Sequence, residues 1–166
     1  MVDITSEKRD IPLEEAKAIA KEIVDFLTPN SEKVEIVGSI RRGKPVVHDV
    51  DLIILPKNSL MMGAVFRYIP NAKIKKQGDK LVSLLYKSVQ VDCYLANHST
   101  YEVVRLIRTG STESNIRLCS EAKKRGWRMQ IGGNGLYDEK GELISGTEEG
   151  ILMAVFGKNI PPEERV

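Results

Sequence analysis

The stretch HDVDLIILP, residues 48 to 56, limits the folds open to this chain more than any other. Val50 and Leu52 to Leu55 make a β-branched and aliphatic run closed by Pro56, the pattern of a strand in the middle of a sheet. Asp49 and Asp51 sit on its lip. In an extended strand residues two apart face the same way, so both carboxylates project together while Val50 and Leu52 point into the core. Side by side they repel each other, and a divalent cation is the simplest means of keeping both ionised. Hard Mg²⁺ takes such oxygen ligands, with waters and substrate phosphates completing its octahedron.

The surrounding sequence supplies partners for that strand. LEEAKAIAKEIVDFL, residues 13–27, has apolar residues at helical spacing with Asp10 and Pro12 as start signals, and TPNSEK breaks it. VEIVG then reads as a short strand ending at Gly38. SLMMGAVFRYI is a second helix with Met61 and Met62 as core filler, and AKIKKQ, KLVSLLY and SVQVDCYL are three strands joined by short turns. Further on, Ser99 or Thr100 caps a helix over YEVVRLIR, Ser111 caps TESNIRLCSEAKKRG with Gly126 as its stop, and Trp127 packs beside it. Short strand segments follow, then a last helix from Thr147 to Gly157. The expected class is α+β: a mixed or antiparallel sheet with packed helices in residues 1–104, and a smaller α/β lobe in 105–166.

Size and composition agree with this. The 166 residues are 42% hydrophobic and 29% charged, enough to bury a substantial core. Net charge is only +2, so a polyanion must be met by a local patch. Cys93 and Cys119 show neither a C-x-x-C nor a metal-ligand spacing and read as small apolar residues in a reducing compartment. The first ten residues lack a signal-peptide core and no long apolar run occurs, so a cytoplasmic protein with no membrane partner is expected.

A third carboxylate enters from SVQVDCYL, where Asp92 alternates with Val91 and Cys93 and so emerges on the face opposite them. If this strand lies beside the first, three carboxylates converge, which suits a two-metal site. A D-x-D alone is weak, since exposed strand ends often carry acidic residues with no task. The preceding loop shifts the balance. Gly38 and Ser39 leave a strand in a tight turn whose N–H groups and hydroxyl can cradle phosphate oxygens, and Arg41 and Arg42 can offset further negative charge.

GSIRRGKPVVHDVDLII resembles the nucleotidyltransferase superfamily, and more closely the family X DNA polymerases of the DNA polymerase β group, in which GS-x-RRG precedes D-x-D. RTGSTESN resembles that family's thumb motif, and the ending LYDEKGELISGTEEGILMAVFGKNIPPEER resembles its closing segment, so the likeness covers roughly residues 13 to 166. The resemblance implies a template-directed DNA polymerase that adds dNMP from a dNTP to a primer 3′-hydroxyl, in short-gap repair. It implies two Mg²⁺ ions, for which Mn²⁺ can substitute. Asp49 and Asp51 would ligate both metals, and Asp92 would ligate the catalytic one and receive the 3′-hydroxyl proton. Ser39 and Arg42 would grip the β- and γ-phosphates with backbone help from Gly38 and His48. Thr109 and Gly110 would lie at the sugar and Asn115 at the minor-groove edge of the base.

Departures from the family pattern carry their own expectations. The aromatic pair that normally precedes T-G-S is Ile107 and Arg108 here, an arginine touching the template is replaced by Cys119, and Gln90 stands where an arginine often nears the primer terminus. Altered sugar discrimination and lower fidelity follow. About a dozen residues precede the first helix, so palm plus thumb without lyase or fingers domains is the expectation. DNA contacts would fall to Lys75 and Lys76, with Lys73 and Lys80 nearby, and to Lys123, Lys124, Arg125 and Arg128. For each cluster, ordinary solvated charge is an equal alternative. Two other functions stay open: a template-independent or small-molecule nucleotidyltransferase, and a non-catalytic DNA-binding protein of the same fold.

Overall fold

The computed structural model describes residues 8–166; the first seven residues of the expected palm lie outside this range. The chain runs β1 (Ile11–Pro12), α1 (Leu13–Leu27), β2 (Ser31–Val37), α2 (Gly38–Arg41), β3 (Val46–Val47), β4 (Val50–Pro56), α3 (Ser59–Val65), β5 (Lys73–Gln77), β6 (Leu81–Tyr86) and β7 (Val89–Leu95). It continues through α4 (Tyr101–Thr109), α5 (Thr112–Lys124), β8 (Arg128–Met129), β9 (Leu136–Tyr137), β10 (Leu143–Ser145) and α6 (Glu148–Phe156). This is the mixed α+β architecture that the sequence predicts.

The main sheet has strand order β2-β4-β7-β6-β5. Only β4 and β7 run parallel; the other neighbours are antiparallel. β4 is an interior strand, between β2 and β7, and its alternation serves two cores. Val50, Leu52 and Ile54 face the side where α1 lays down Ala16, Ile19, Ala20, Ile23 and Leu27, together with Val82, Leu84, Val91 and Cys93. Ile53 and Leu55 face the other side, against Val37 and Tyr101 of α4. The second lobe packs α4, α5 and α6 on the small sheet β10-β9-β8 around Leu106, Leu118, Leu136, Ile151 and Val155.

Most helix boundaries follow from caps. Ser111 Oγ accepts from Ser114 N and Thr147 Oγ1 from Gly150 N, and Gly157 ends α6 in the left-handed conformation at φ 73°. Three expectations need correction, and one element was not expected. Residue 38 does not end a strand but opens the single helical turn α2, so the glycine-serine turn is helical. Met61 is 66% exposed, and only Met62 fills the core, because α3 is short and shows one face to solvent. Neither Ser99 nor Thr100 caps α4 with its side chain; Asn97 Oδ1 accepts from both of their N–H groups instead. The ribbon pairing Ile11 with Val47 and Pro12 with Val46 has no signature in sequence, being two residues per strand. Among the described residues no helix is long and apolar enough to cross a membrane.

One ionic cluster joins the lobes. Glu148, the first residue of α6, is 3% exposed and pairs with Arg41 of α2 at 2.9 Å, Arg105 of α4 at 2.7 Å and Arg165 near the C-terminus at 2.6 Å. Burial opposes its ionisation, but the guanidiniums, Arg165 foremost, hold its carboxyl below the usual range. Removing this carboxylate would leave three positive charges facing one another in low dielectric. Glu148→Ala is therefore expected to lower the unfolding free energy by about 3–5 kcal/mol, measured by urea denaturation. A loss below about 1 kcal/mol, the scale of a surface pair, would remove the cluster from the list of what holds the lobes together.

Candidate active site

A cleft of about 660 Å³ opens between the two lobes. Its floor comes from strand geometry. Asp51 shares the face of Ile53 and Leu55, and Asp92 lies on the face of β7 opposite Val91 and Cys93. The parallel pairing sets Asp51, which lines the cleft, directly beside Asp92, which is not itself among the lining residues. Asp49 precedes the strand by one residue and lines the same cleft.

Gly38 closes over this floor. Its φ is +66°, and a Cβ built on it would fall 2.2 Å from Asp51 Oδ2, so only glycine lets α2 approach the carboxylate this closely. Ser39, Arg42 and His48 continue the wall from the first lobe, and Ile107, Arg108, Gly110 and Asn115 face them from the second. Arg42 Nη1 donates to the Thr109 carbonyl at 2.6 Å, while its Nε is buried without a hydrogen-bond partner among the described residues. Asn115 donates to the Ile107 carbonyl at 2.9 Å. Arg108 lies 4.2 Å over the ring of Tyr94, another cleft residue.

Each carboxylate has its own surroundings. Asp51 is pushed up to about 7, first by burial and then by the charges of Asp49 and Asp92, against the opposing pull of Arg108 and Lys8. Asp92 Oδ1 accepts from Ser83 Oγ at 2.6 Å, and Gln90 Nε2 donates to both its oxygens at 3.1 and 3.2 Å. Lys75 in turn donates to Gln90 at 3.3 Å. Asp49 Oδ2 is held by Lys8 Nζ at 3.0 Å. Burial and the nearby Asp51 also push the Tyr94 hydroxyl up to about 12. Among the described residues no three His, Cys, Asp or Glu side chains stand close enough together to hold a metal ion as they are oriented.

Two residues expected in the site do other work. Thr109 is fully buried, and its hydroxyl accepts from Arg41 at 2.7 Å and donates to the Arg105 carbonyl at 2.6 Å, away from the cleft. Arg41 spends its charge on Glu148, so only Arg42 of the pair serves the cleft. The distal cations lie outside it. Lys75 and Lys76 sit exposed on the edge strand β5; Lys123, Lys124 and Arg128 lie at and after the end of α5. Lys124 pairs with Glu121 at 2.6 Å, and Arg125 is used within its lobe, donating to the Val155 carbonyl at 2.7 Å and lying 5.4 Å over Trp127. Lys8, Ser83 and Tyr94 belong to the site without having been legible as such. Ser83 meets Asp92 only through cross-strand register, and Lys8 meets Asp49 from 41 residues away.

No family model matches the chain. It is 30% identical over 161 residues to the DNA polymerase/3′-5′ exonuclease PolX of Bacillus subtilis (strain 168), an alignment that takes in 93% of this chain and 28% of that protein. The chain thus spans little more than a quarter of that relative's length. Among solved structures it resembles polymerase beta of Leishmania infantum. The TM-score is 0.76 against the ternary P/T complex, with 16% identity over 97% of this chain and 78% of that one. Against the ternary gap complex it is 0.75, with 16% identity over 95% and 71%. A floor of paired aspartates under a glycine-serine turn, on a sheet that superposes in this way, gives the chain the fold of the family X, DNA polymerase β-like polymerases.

Proposed function

We propose that this chain is the catalytic core of a template-directed DNA polymerase, adding dNMP to a primer 3′-hydroxyl in short-gap synthesis. The observation that carries the reading is the juxtaposition of Asp51 and Asp92 on parallel strands beneath Gly38, Ser39 and Arg42. The PolX relative and the polymerase beta structures, named for P/T and gap complexes, support the same reading. In it, residues 1–104 act as palm and 105–166 as thumb.

The donor set fits Mg²⁺ or Mn²⁺. It is made of carboxylate oxygens alone, and the buried Asp51, pushed up by its neighbours, is a group that a cation would return to full ionisation. Asp49, Asp51 and Asp92 would hold two such ions, which supply Lewis-acid charge to the attacking and leaving oxygens. The residues of this chain bind and orient around that centre. Asp92, steadied by Ser83 and Gln90, takes the proton of the primer 3′-hydroxyl. The 3′-oxygen then bonds to the α-phosphorus as the α–β phosphoanhydride breaks and pyrophosphate leaves. Arg42, fixed at Nη1 by Thr109, keeps its unpartnered Nε as a donor for phosphate oxygens beside Ser39. Gly110, Ile107 and Arg108 lie at the sugar, and Asn115 at the base edge. Lys75, Lys76, Lys123, Lys124 and Arg128 present exposed charge to duplex phosphates.

Primer extension on gapped DNA, with and without template bases and with dNTPs against rNTPs, tests the reading. Template-dependent incorporation is expected, and Asp92→Ala should lower the rate by about 10²–10⁴-fold, the usual contribution of a general base. Extension that is indifferent to Asp92, or to the template, would reassign the function.

The electrostatics of Asp51 give an independent check. Its folded-state value near 7 lies above the ordinary 3.8, so its contribution to stability is full at low pH and is lost as pH rises through 7. In metal-free protein Asp51→Asn should be more stable than wild type near pH 8, by roughly 2–4 kcal/mol from the linkage of that shift. The gain should vanish below about pH 4, where the carboxyl is protonated in both states. Urea denaturation across this range reads it, and a difference independent of pH would contradict the burial argument.

A further inference from the structure

The ribbon of β1 and β3 delivers a cation to the carboxylates. Ile11 opposite Val47 is fully buried, and Leu13 N donates to the Pro45 carbonyl at 3.0 Å, so the ribbon is anchored at its base. In an antiparallel pair, a step back along one strand is a step forward along the other. Residues 10 to 8 are therefore carried past 48 and 49. The side chains follow this course: Asp10 Oδ1 lies 3.3 Å from His48 Nδ1, and Lys8 Nζ 3.0 Å from Asp49 Oδ2. Lys8 lines the cleft beside Asp51, and besides its bond to Asp49 it feels the charges of Asp92 and Asp51.

We propose that Lys8 is a built-in counter-ion for the carboxylate site: in the nucleotide-free protein its ammonium occupies an oxygen of Asp49, and a divalent cation must displace it to bind. The inference rests on the reading of Asp49 as a metal ligand. An ammonium offsets one negative charge and leaves the repulsion among three carboxylates unbalanced, so a doubly charged ion can replace it. Until then Asp49 is directed to Lys8, and Asp92 to Ser83 and Gln90. Weak metal affinity in the absence of nucleotide is the consequence, and the short ribbon that carries Lys8 sets it.

Mn²⁺ binding to the nucleotide-free full chain, followed by loss of the free-ion paramagnetic resonance signal, tests this without reference to activity. Lys8→Met should bind Mn²⁺ about fivefold more tightly than wild type, the upper end of what a solvent-exposed ion pair contributes. Lys8→Arg, which keeps the charge, should stay at the wild-type value. Lys8→Gln serves as a second neutral variant, and the 62% exposure of this side chain makes either compatible with folding. Lys44→Met removes another cleft-lining charge that makes no ion pair with a described residue, and should change affinity less than twofold. Equal tightening by Lys44→Met, or no tightening by either neutral variant while Asp51→Asn weakens binding, would overturn the role of Lys8 and leave the metal site standing. Binding that is absent, or unaffected by Asp51→Asn, would overturn both.

Discussion

β4 and β7 lie parallel with Asp51 beside Asp92, and a parallel pair cannot be closed by a tight turn. The chain between them must leave the sheet and return, which it does through α3, re-entering at the far edge as the hairpin β5–β6 before β7 takes its place between β4 and β6. Both aspartates are thereby placed on one face of the most buried part of the sheet, where Ile53 and Leu55 pack below and α1 covers the reverse side. A rigid floor of this kind can hold groups that repel each other. Asp51, pushed up to about 7, shows the local cost, and the apolar packing around it offsets that cost.

The wall over this floor depends on a division of labour between neighbouring arginines. Arg41 turns to the buried Glu148, which also gathers Arg105 and Arg165, so that α2 of the first lobe is held to α4, α6 and the chain end of the second. Arg42 faces the cleft. Thr109 serves both, accepting from Arg41 with its hydroxyl and from Arg42 with its carbonyl. Electrostatic stability and the shape of the cleft are thus set by the same few residues, and the helical turn Gly38–Arg41 is the hinge between the two roles.

Much of this was legible in one dimension. The 3.6-residue spacing in residues 13–27 located α1, and Ser111, Thr147 and Gly157 marked helix ends, because caps and amphipathic faces are local properties. GSIRRG with D-x-D located one side of the cleft, and TGS with Asn115 the other. The misreadings have a common cause. Arg41 and Thr109 look like site residues by position, yet each faces a partner over 60 residues away. Met61 carries the same side chain as Met62, and only its place on the solvent face of the short helix α3 separates the exposed one from the buried one.

The sequence by itself determined that Asp49 and Asp51 share a face and that Asp92 opposes Val91 and Cys93, since side-chain direction in a strand follows a period of two. Only the tertiary structure decided that the two strands lie side by side in the register that pairs Asp51 with Asp92, and that Ser83, Gln90 and Lys8 are the groups that engage the carboxylates. Register between distant segments is chosen by how whole faces pack, and that energy belongs to no single stretch of chain.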